Sequence, residues 1–96
     1  MYFDQEVFGK RVREARKKRR LSQEEMAEML NISTNHYGHI EQGTRGCSID
    51  LLLEMTDILL VSTDYLLFGR ISERESEIKQ LKDISEKLTN LIRQMS

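Results

Sequence analysis

Residues 23–42, QEEMAEML then NIS then TNHYGHIEQ, read as two short helices separated by three residues. Ser22 precedes the first of them and Glu25 lies three residues on, so the serine oxygen and the glutamate carboxylate each satisfy an amide hydrogen that a helix start leaves without a partner. Leu21 and Met26 flank that start as an apolar staple, which predicts a helix over residues 23–30. Asn31 tolerates the left-handed backbone that closes a helix. Ser33 then caps a second helix over 34–42, with Ile32 and Tyr37 as its staple and Gly43 as its stop. With so short a connection the two helices must cross at a large angle, the helix-turn-helix arrangement. Ala27 supplies the small side chain needed at the crossing, and Ile32 and Ile40 fill the space between.

A wheel at about 100° per residue sets Tyr37 and Ile40 on the inward side of the second helix. Glu41 falls at the inward edge and therefore needs a cation. Asn35, Gly38, His39 and Gln42 face the other way. Thr34 occupies the first turn, where helix N-termini meet base edges, and Asn35 and His39, one turn apart, offer donors and acceptors on one outward strip. Gly38 lowers helix propensity by about 1 kcal/mol relative to alanine, a cost best understood if the backbone must approach something closely.

Working outward, the chain contains no proline, no repeat and no strand-like alternation, so the remaining elements are also predicted to be helical and the fold class all-α. Ser48, Ser62 and Ser72 each precede a further helical segment, Ser72 with Glu75 repeats the capping box, and Gly69 closes the fifth helix. The other helices are placed near residues 4–19, 49–60, 63–68 and 73–94. Residues 1–70 are read as one compact domain of five helices, and 71–96 as a C-terminal amphipathic helix.

Ninety-six residues leave little core for an enclosed active site. No nucleophile, base and orienting acid recur at recognisable spacing either, so no enzyme is expected. The longest apolar run, residues 58–61, is far short of a membrane span, and the opening MYFD is no signal peptide, which together predict a cytoplasmic protein with no membrane partner. The single cysteine, Cys47, agrees with a reducing compartment and reads as a small, partly buried apolar group rather than a redox sensor. His36 and His39 have a spacing that holds a metal only if a third ligand comes from elsewhere, so no metal or cofactor is expected. Tyr37, Tyr65 and Phe68 read as core rather than as a ligand cluster.

Net charge is −1, but the distribution is uneven: residues 1–20 hold eight basic side chains against Asp4, Glu6 and Glu14, a local +5 that the rest of the chain balances. A phosphate feels the patch within about 8 Å and not the total. The plainer reading is that residues 16–20 complement the negative end of their own helix.

Over residues 8–68 the sequence resembles the Cro and phage-repressor-like helix-turn-helix family, also called the Xre family. Four segments carry the resemblance: GKRVREAR at 9–16, LSQEEMAE at 21–28, IEQG at 40–43 and VSTDYLL at 61–67. It implies a five-helix, lambda-repressor-like domain that binds double-stranded DNA as a sequence-specific transcriptional regulator, with a repressor as the expected role. By the same likeness Thr34, Asn35 and His39 are the base-reading positions, Gln23 contacts a phosphate, and Thr44 and Arg45 touch the DNA backbone. Arg16 and Glu41 match a salt bridge joining the first helix to the third, which provides the cation that Glu41 requires. The chain departs from the family at Asn31, for the usual turn glycine, at Gly46 and Cys47, where proline is usual, at Thr56 for alanine, and at Leu60, where glycine is common.

From residue 78 onward Leu81, Ile84, Leu88, Leu91 and Met95 recur at alternating spacings of three and four, widened by Ile78 and Ile92. Lys79, Lys82, Asp83, Glu86, Lys87 and Arg93 mix their signs on the other side, as a coiled-coil flank does. A lone helix of this length is marginal in water, so the stripe is read as a dimerisation or docking face, with folding back on the same subunit as the competing arrangement. A homodimer would present two recognition helices about 34 Å apart to successive major grooves of a palindromic site. The alternative is an antitoxin-like interaction module whose last helix binds a partner protein.

Overall fold

The computed structural model describes residues 3–70 and 73–95, the side chains of 73–79 excepted. Ser72, the expected cap of the last helix, and the Ile78 side chain lie outside the described residues. Among these described residues six helices follow in order: α1 (Gln5–Lys18), α2 (Gln23–Leu30), α3 (Thr34–Gln42), α4 (Ile49–Leu59), α5 (Thr63–Phe68) and α6 (Glu73–Met95).

Caps explain where these helices begin. Asp4 accepts from the amides of Glu6 and Val7 at 2.9 and 3.3 Å and so starts α1, an N-cap that the serine pattern does not reveal. Ser22 and Glu25 form the reciprocal capping box, with bonds of 3.0 and 3.1 Å. The hydroxyls of Ser33, Ser48 and Ser62 each accept from the amide three residues on. Each such cap contributes about 1 kcal/mol against alanine.

The ends are less uniform. Asn31, Gly43 and Gly69 are left-handed as the sequence predicts, but Arg20 and Leu60 are too, with φ of 57° and 58°. Leu60 thus adopts the backbone that glycine gives the family at this turn, α4 stops at Leu59 rather than at residue 60, and the leucine side chain is left exposed. A left-handed leucine costs on the order of 1–2 kcal/mol locally, which the packing around the turn must offset.

One core holds the five helices together. Val12 of α1, Met26 of α2, Tyr37 and Ile40 of α3, Met55 of α4 and Leu66 of α5 are fully buried, with Phe8, Ala15, Ala27, Leu30 and Leu59 beside them. Burial of each large apolar side chain is worth roughly 1.5–3 kcal/mol. Tyr65 and Cys47 pack against this core from its edge. Phe68 corrects the expectation of core: at the last position of α5 it is exposed, and the Arg70 guanidinium lies over its ring at 5.3 Å.

Arginines of α1 tie the ends of two other helices to this layer. Arg11 donates to the carbonyls of Leu66 and Leu67 at 3.3 and 3.1 Å, and Arg19 to that of Ile58 at 3.2 Å. A cation at a helix C-terminus meets carbonyls that lack an internal partner and the negative end of the dipole. Part of the basic run therefore serves α4 and α5, not the end of α1 alone.

α6 differs from the other five, since every side chain from 80 to 95 is exposed. Within the single chain the stripe is not folded back onto the five-helix unit. Among the described residues no helix is long and apolar enough to cross a membrane.

Candidate nucleic-acid interface

α3 owes its orientation to two contacts with the rest of the domain. Tyr37 and Ile40 are driven inward by burial, which fixes the rotation of the helix about its axis. Gly9 of α1 lies against the α3 backbone so closely that an added Cβ would strike the Glu41 carbonyl oxygen and sit 2.6 Å from that of Ile40. The close approach of α1 to α3 therefore depends on a missing side chain, a role not evident in the sequence pattern.

Beneath the outward face lies a buried charged cluster. Arg16 Nε and Nη2 donate to the two oxygens of Glu41 at 2.7 and 3.2 Å, Arg16 Nη1 donates to the Leu21 carbonyl at 2.9 Å, and Gln23 Nε2 donates to Glu41 at 2.9 Å. The pair thus joins α1 to α3, the carboxylate reaches the first residue of α2, and both charged side chains are almost wholly buried. Burial alone would push the Glu41 carboxyl up, but the Arg16 guanidinium, the neighbouring Tyr37 hydroxyl and the Gln23 amide together hold it below its ordinary value. The Arg16 guanidinium is raised by its hydrogen bond to Glu41. Burial is the main cause of a strong upward shift at Tyr37, whose hydroxyl is enclosed and has no hydrogen-bond partner of good geometry among the described residues.

Outside this cluster the side chains face solvent. Thr34 and Asn35, in the first turn of α3, are exposed, and so are Thr44 and Arg45 beyond its end. His39 is half-buried, and its Nδ1 lies 2.8 Å from the Thr44 hydroxyl, which also donates to the His39 carbonyl at 3.2 Å. A side chain on the outward strip is thus held by the residue that follows the helix. Gln23 is half-buried, anchored to Glu41 at the mouth of an open cleft of about 550 Å³ that Lys10, Arg13 and Gln42 also line. Lys10 and Arg13 had no role in the sequence reading beyond local charge. Here they stand beside Gln23 at the start of α2, in a cleft that the Glu6 carboxylate also lines.

Cys47 is half-buried, and burial raises its thiol. Among the described residues no three His, Cys, Asp or Glu side chains come together as a metal site. What the surface offers is hydrogen-bonding groups on one helix with basic groups at its border, an arrangement suited to gripping a polyanion.

The helix-turn-helix family profile matches residues 12–66, a segment that includes α2 and α3 entire. The HTH-type transcriptional regulator ImmR of Bacillus subtilis is 39% identical over 84 residues, which cover 86% of this chain and 66% of that protein. The chain therefore spans about two thirds of the length of this relative. Among solved structures, the restriction-modification controller protein C.AhdI from Aeromonas hydrophila superposes with a TM-score of 0.62 at 31% identity, covering 67% of this chain and 97% of that one. The P22 c2 repressor, in complex with a synthetic operator, superposes with a TM-score of 0.63 at 30% identity and the same two coverages.

Proposed function

The chain belongs to the helix-turn-helix family of transcriptional regulators, and from that premise we propose that it is a repressor that binds a palindromic operator as a homodimer, with α3 in the major groove. The observation that carries the reading is the outward strip of α3, where Thr34 and Asn35 are exposed and His39 is held in place while Tyr37 and Ile40 anchor the opposite side. In this reading Thr34, Asn35 and His39 contact base edges. Gln23, Thr44 and Arg45 grip the sugar–phosphate backbone, with the Lys10 and Arg13 cleft beside Gln23 strengthening the local field. The role needs no metal or cofactor.

Base contacts and backbone contacts leave different signatures. Asn35→Ala is expected to remove about 1–3 kcal/mol of discrimination between a selected duplex and random DNA. Arg45→Ala should weaken both alike and make the slope of log K against log salt shallower by about 1. Binding isotherms on both duplexes at several salt concentrations check the pair. Equal losses on cognate and random DNA for both variants would remove the assignment of roles.

Two-fold pairing is assigned to α6. Leu81, Ile84, Leu88, Leu91, Ile92 and Met95 are exposed along one side of this helix, Ile78 continues the stripe in sequence, and the spacing suits a two-stranded coiled coil. Deleting residues 72–96 is expected to turn a dimer into a monomer in sedimentation and to weaken operator binding, while circular dichroism shows the five helices still folded. An unchanged dimer would move the contact into the first 71 residues. A monomer for the full chain would instead favour the second reading, in which the same stripe docks a different protein as in an antitoxin.

A further inference from the structure

Two glycines sit inside helices on the path between the core and the outward strip, and they stand in opposite surroundings. Gly9 is enclosed, and a Cβ there would collide with the α3 backbone. Gly38, in the middle of α3, has nothing among the described residues within 4 Å of the position its Cβ would take. Its φ is not positive either, since among the described residues the glycines with positive φ are Gly43 and Gly69. Among the described residues no contact and no backbone conformation therefore calls for glycine at 38, while helix propensity argues against it. The open space lies one turn from Thr34 and from Gln42, along the same helix.

We propose that Gly38 sets how deeply α3 enters the major groove: the absent side chain lets the helix backbone come into van der Waals contact with the groove wall, and so brings Asn35 and His39 within hydrogen-bonding reach of the bases. The proposal rests on the DNA-reading role of α3 argued above. It makes Gly38 a positioning residue for specificity, with no hydrogen bond of its own. Loose, non-specific complexes do not need the same depth, so a side chain at 38 penalises the specific complex selectively.

The opposed signs of two measurements provide the test. Duplexes enriched by the wild-type protein from a random library serve as the specific probe, and a scrambled duplex of equal length as the non-specific one. Gly38→Ala is expected to raise the melting temperature by several degrees, because alanine is the better helix former and meets no obstacle. The same variant should bind the enriched duplex at least tenfold more weakly and the scrambled duplex with unchanged affinity. Gly38→Gln, longer but also a good helix former, should extend the loss without lowering the melting temperature. A more stable Gly38→Ala protein that binds the enriched duplex as tightly as wild type overturns the proposal, and so does a fall in melting temperature, which would reveal an internal need for glycine. Asn35→Ala keeps this failure separate from failure of the underlying reading. Lost discrimination in Asn35→Ala with none in Gly38→Ala rejects only the depth role, whereas a wild-type protein that enriches no duplex rejects both.

Discussion

Glu41→Ala is expected to lower the urea midpoint by the equivalent of about 3–5 kcal/mol, the usual consequence of leaving one member of a buried, hydrogen-bonded ion pair alone. The substitution strands the Arg16 guanidinium, which lies almost wholly buried with two of its three donor contacts directed at Glu41. It also removes the acceptor of Gln23 and a cavity-filling side chain from the joint of α1, α2 and α3. Against a total stability of about 5–15 kcal/mol for a domain of this kind, the loss is large enough to leave a measurable unfolded fraction. Replacing both partners by apolar residues, as Arg16→Met with Glu41→Met, should recover much of it, because the cost lies in the uncompensated charge and not in the absence of a pair. An unchanged midpoint for Glu41→Ala would show that the bridge contributes nothing to stability.

The same carboxylate fixes the direction of a pH effect. Folding holds the Glu41 carboxyl below its ordinary value of 4.5, so its contribution is fully present above that pH and is lost as pH falls through the lower, folded-state value. Wild-type stability should fall on the acid side of pH 4.5 more steeply than that of Glu41→Gln, which has no such proton to take up. Urea titrations between neutral and acid pH supply the comparison.

Gly9→Ala is the second large effect, and its sign is opposite to that expected of a glycine in a helix. Helix propensity alone would make the alanine variant more stable by about 1 kcal/mol. The new Cβ, however, would strike the Glu41 carbonyl oxygen and stand 2.6 Å from the Ile40 carbonyl oxygen and 2.7 Å from the Glu41 carbonyl carbon. These are backbone atoms of a packed helix and cannot rotate aside, so α1 must move away from α3. Overpacking of this kind typically costs about 1–3 kcal/mol and occasionally more, and here the displacement also stretches the Arg16–Glu41 bridge. A lower melting temperature is therefore expected, together with weaker DNA binding because the recognition helix loses its seat. A Gly9→Ala protein as stable as wild type would mean that the two helices separate at no cost.

Much of the fold is legible in the sequence because the controlling effects are local. A capping box needs Ser22 and Glu25 three residues apart, and a stop needs a residue such as Asn31 or Gly43 that accepts a left-handed backbone. Periodicity supplies the inward face of α3 in the same way, since Tyr37 and Ile40 are neighbours on one helix. The features that escape depend on what lies across the fold. Gly9 is one glycine among five until α3 is packed against it, and nothing near Arg11 or Arg19 in the chain announces that their partners are carbonyls of α5 and α4. Leu60 and Arg20 are left-handed against their own preference, and in each case the next amide donates back into the helix end, Val61 to the Thr56 carbonyl and Leu21 to that of Arg16, both at 3.2 Å. Phe68 fails as a core residue for a related reason: it is the last residue of α5, and its ring stays exposed with the Arg70 guanidinium over it. On the candidate interface, helical spacing is enough to put Asn35 and His39 on the side of α3 away from Tyr37 and Ile40, whereas the cleft shared by Lys10, Arg13 and Gln23 exists only once α1 and α2 meet.

The contact between His39 and Thr44 has a chemical consequence for the ring itself. A hydroxyl carries one proton, and that of Thr44 faces both Nδ1 and the His39 carbonyl, so the tautomer of the uncharged imidazole decides which of the two it is given to. Nε2 takes the role opposite to that of Nδ1. With the proton on Nδ1 the ring presents an acceptor, whose complements in the major groove are the exocyclic amino groups of adenine and cytosine. With Thr44 donating to Nδ1 it presents a donor, suited to the N7 and O6 of guanine or the O4 of thymine, so the threonine after the helix bears on which base edge the histidine can meet.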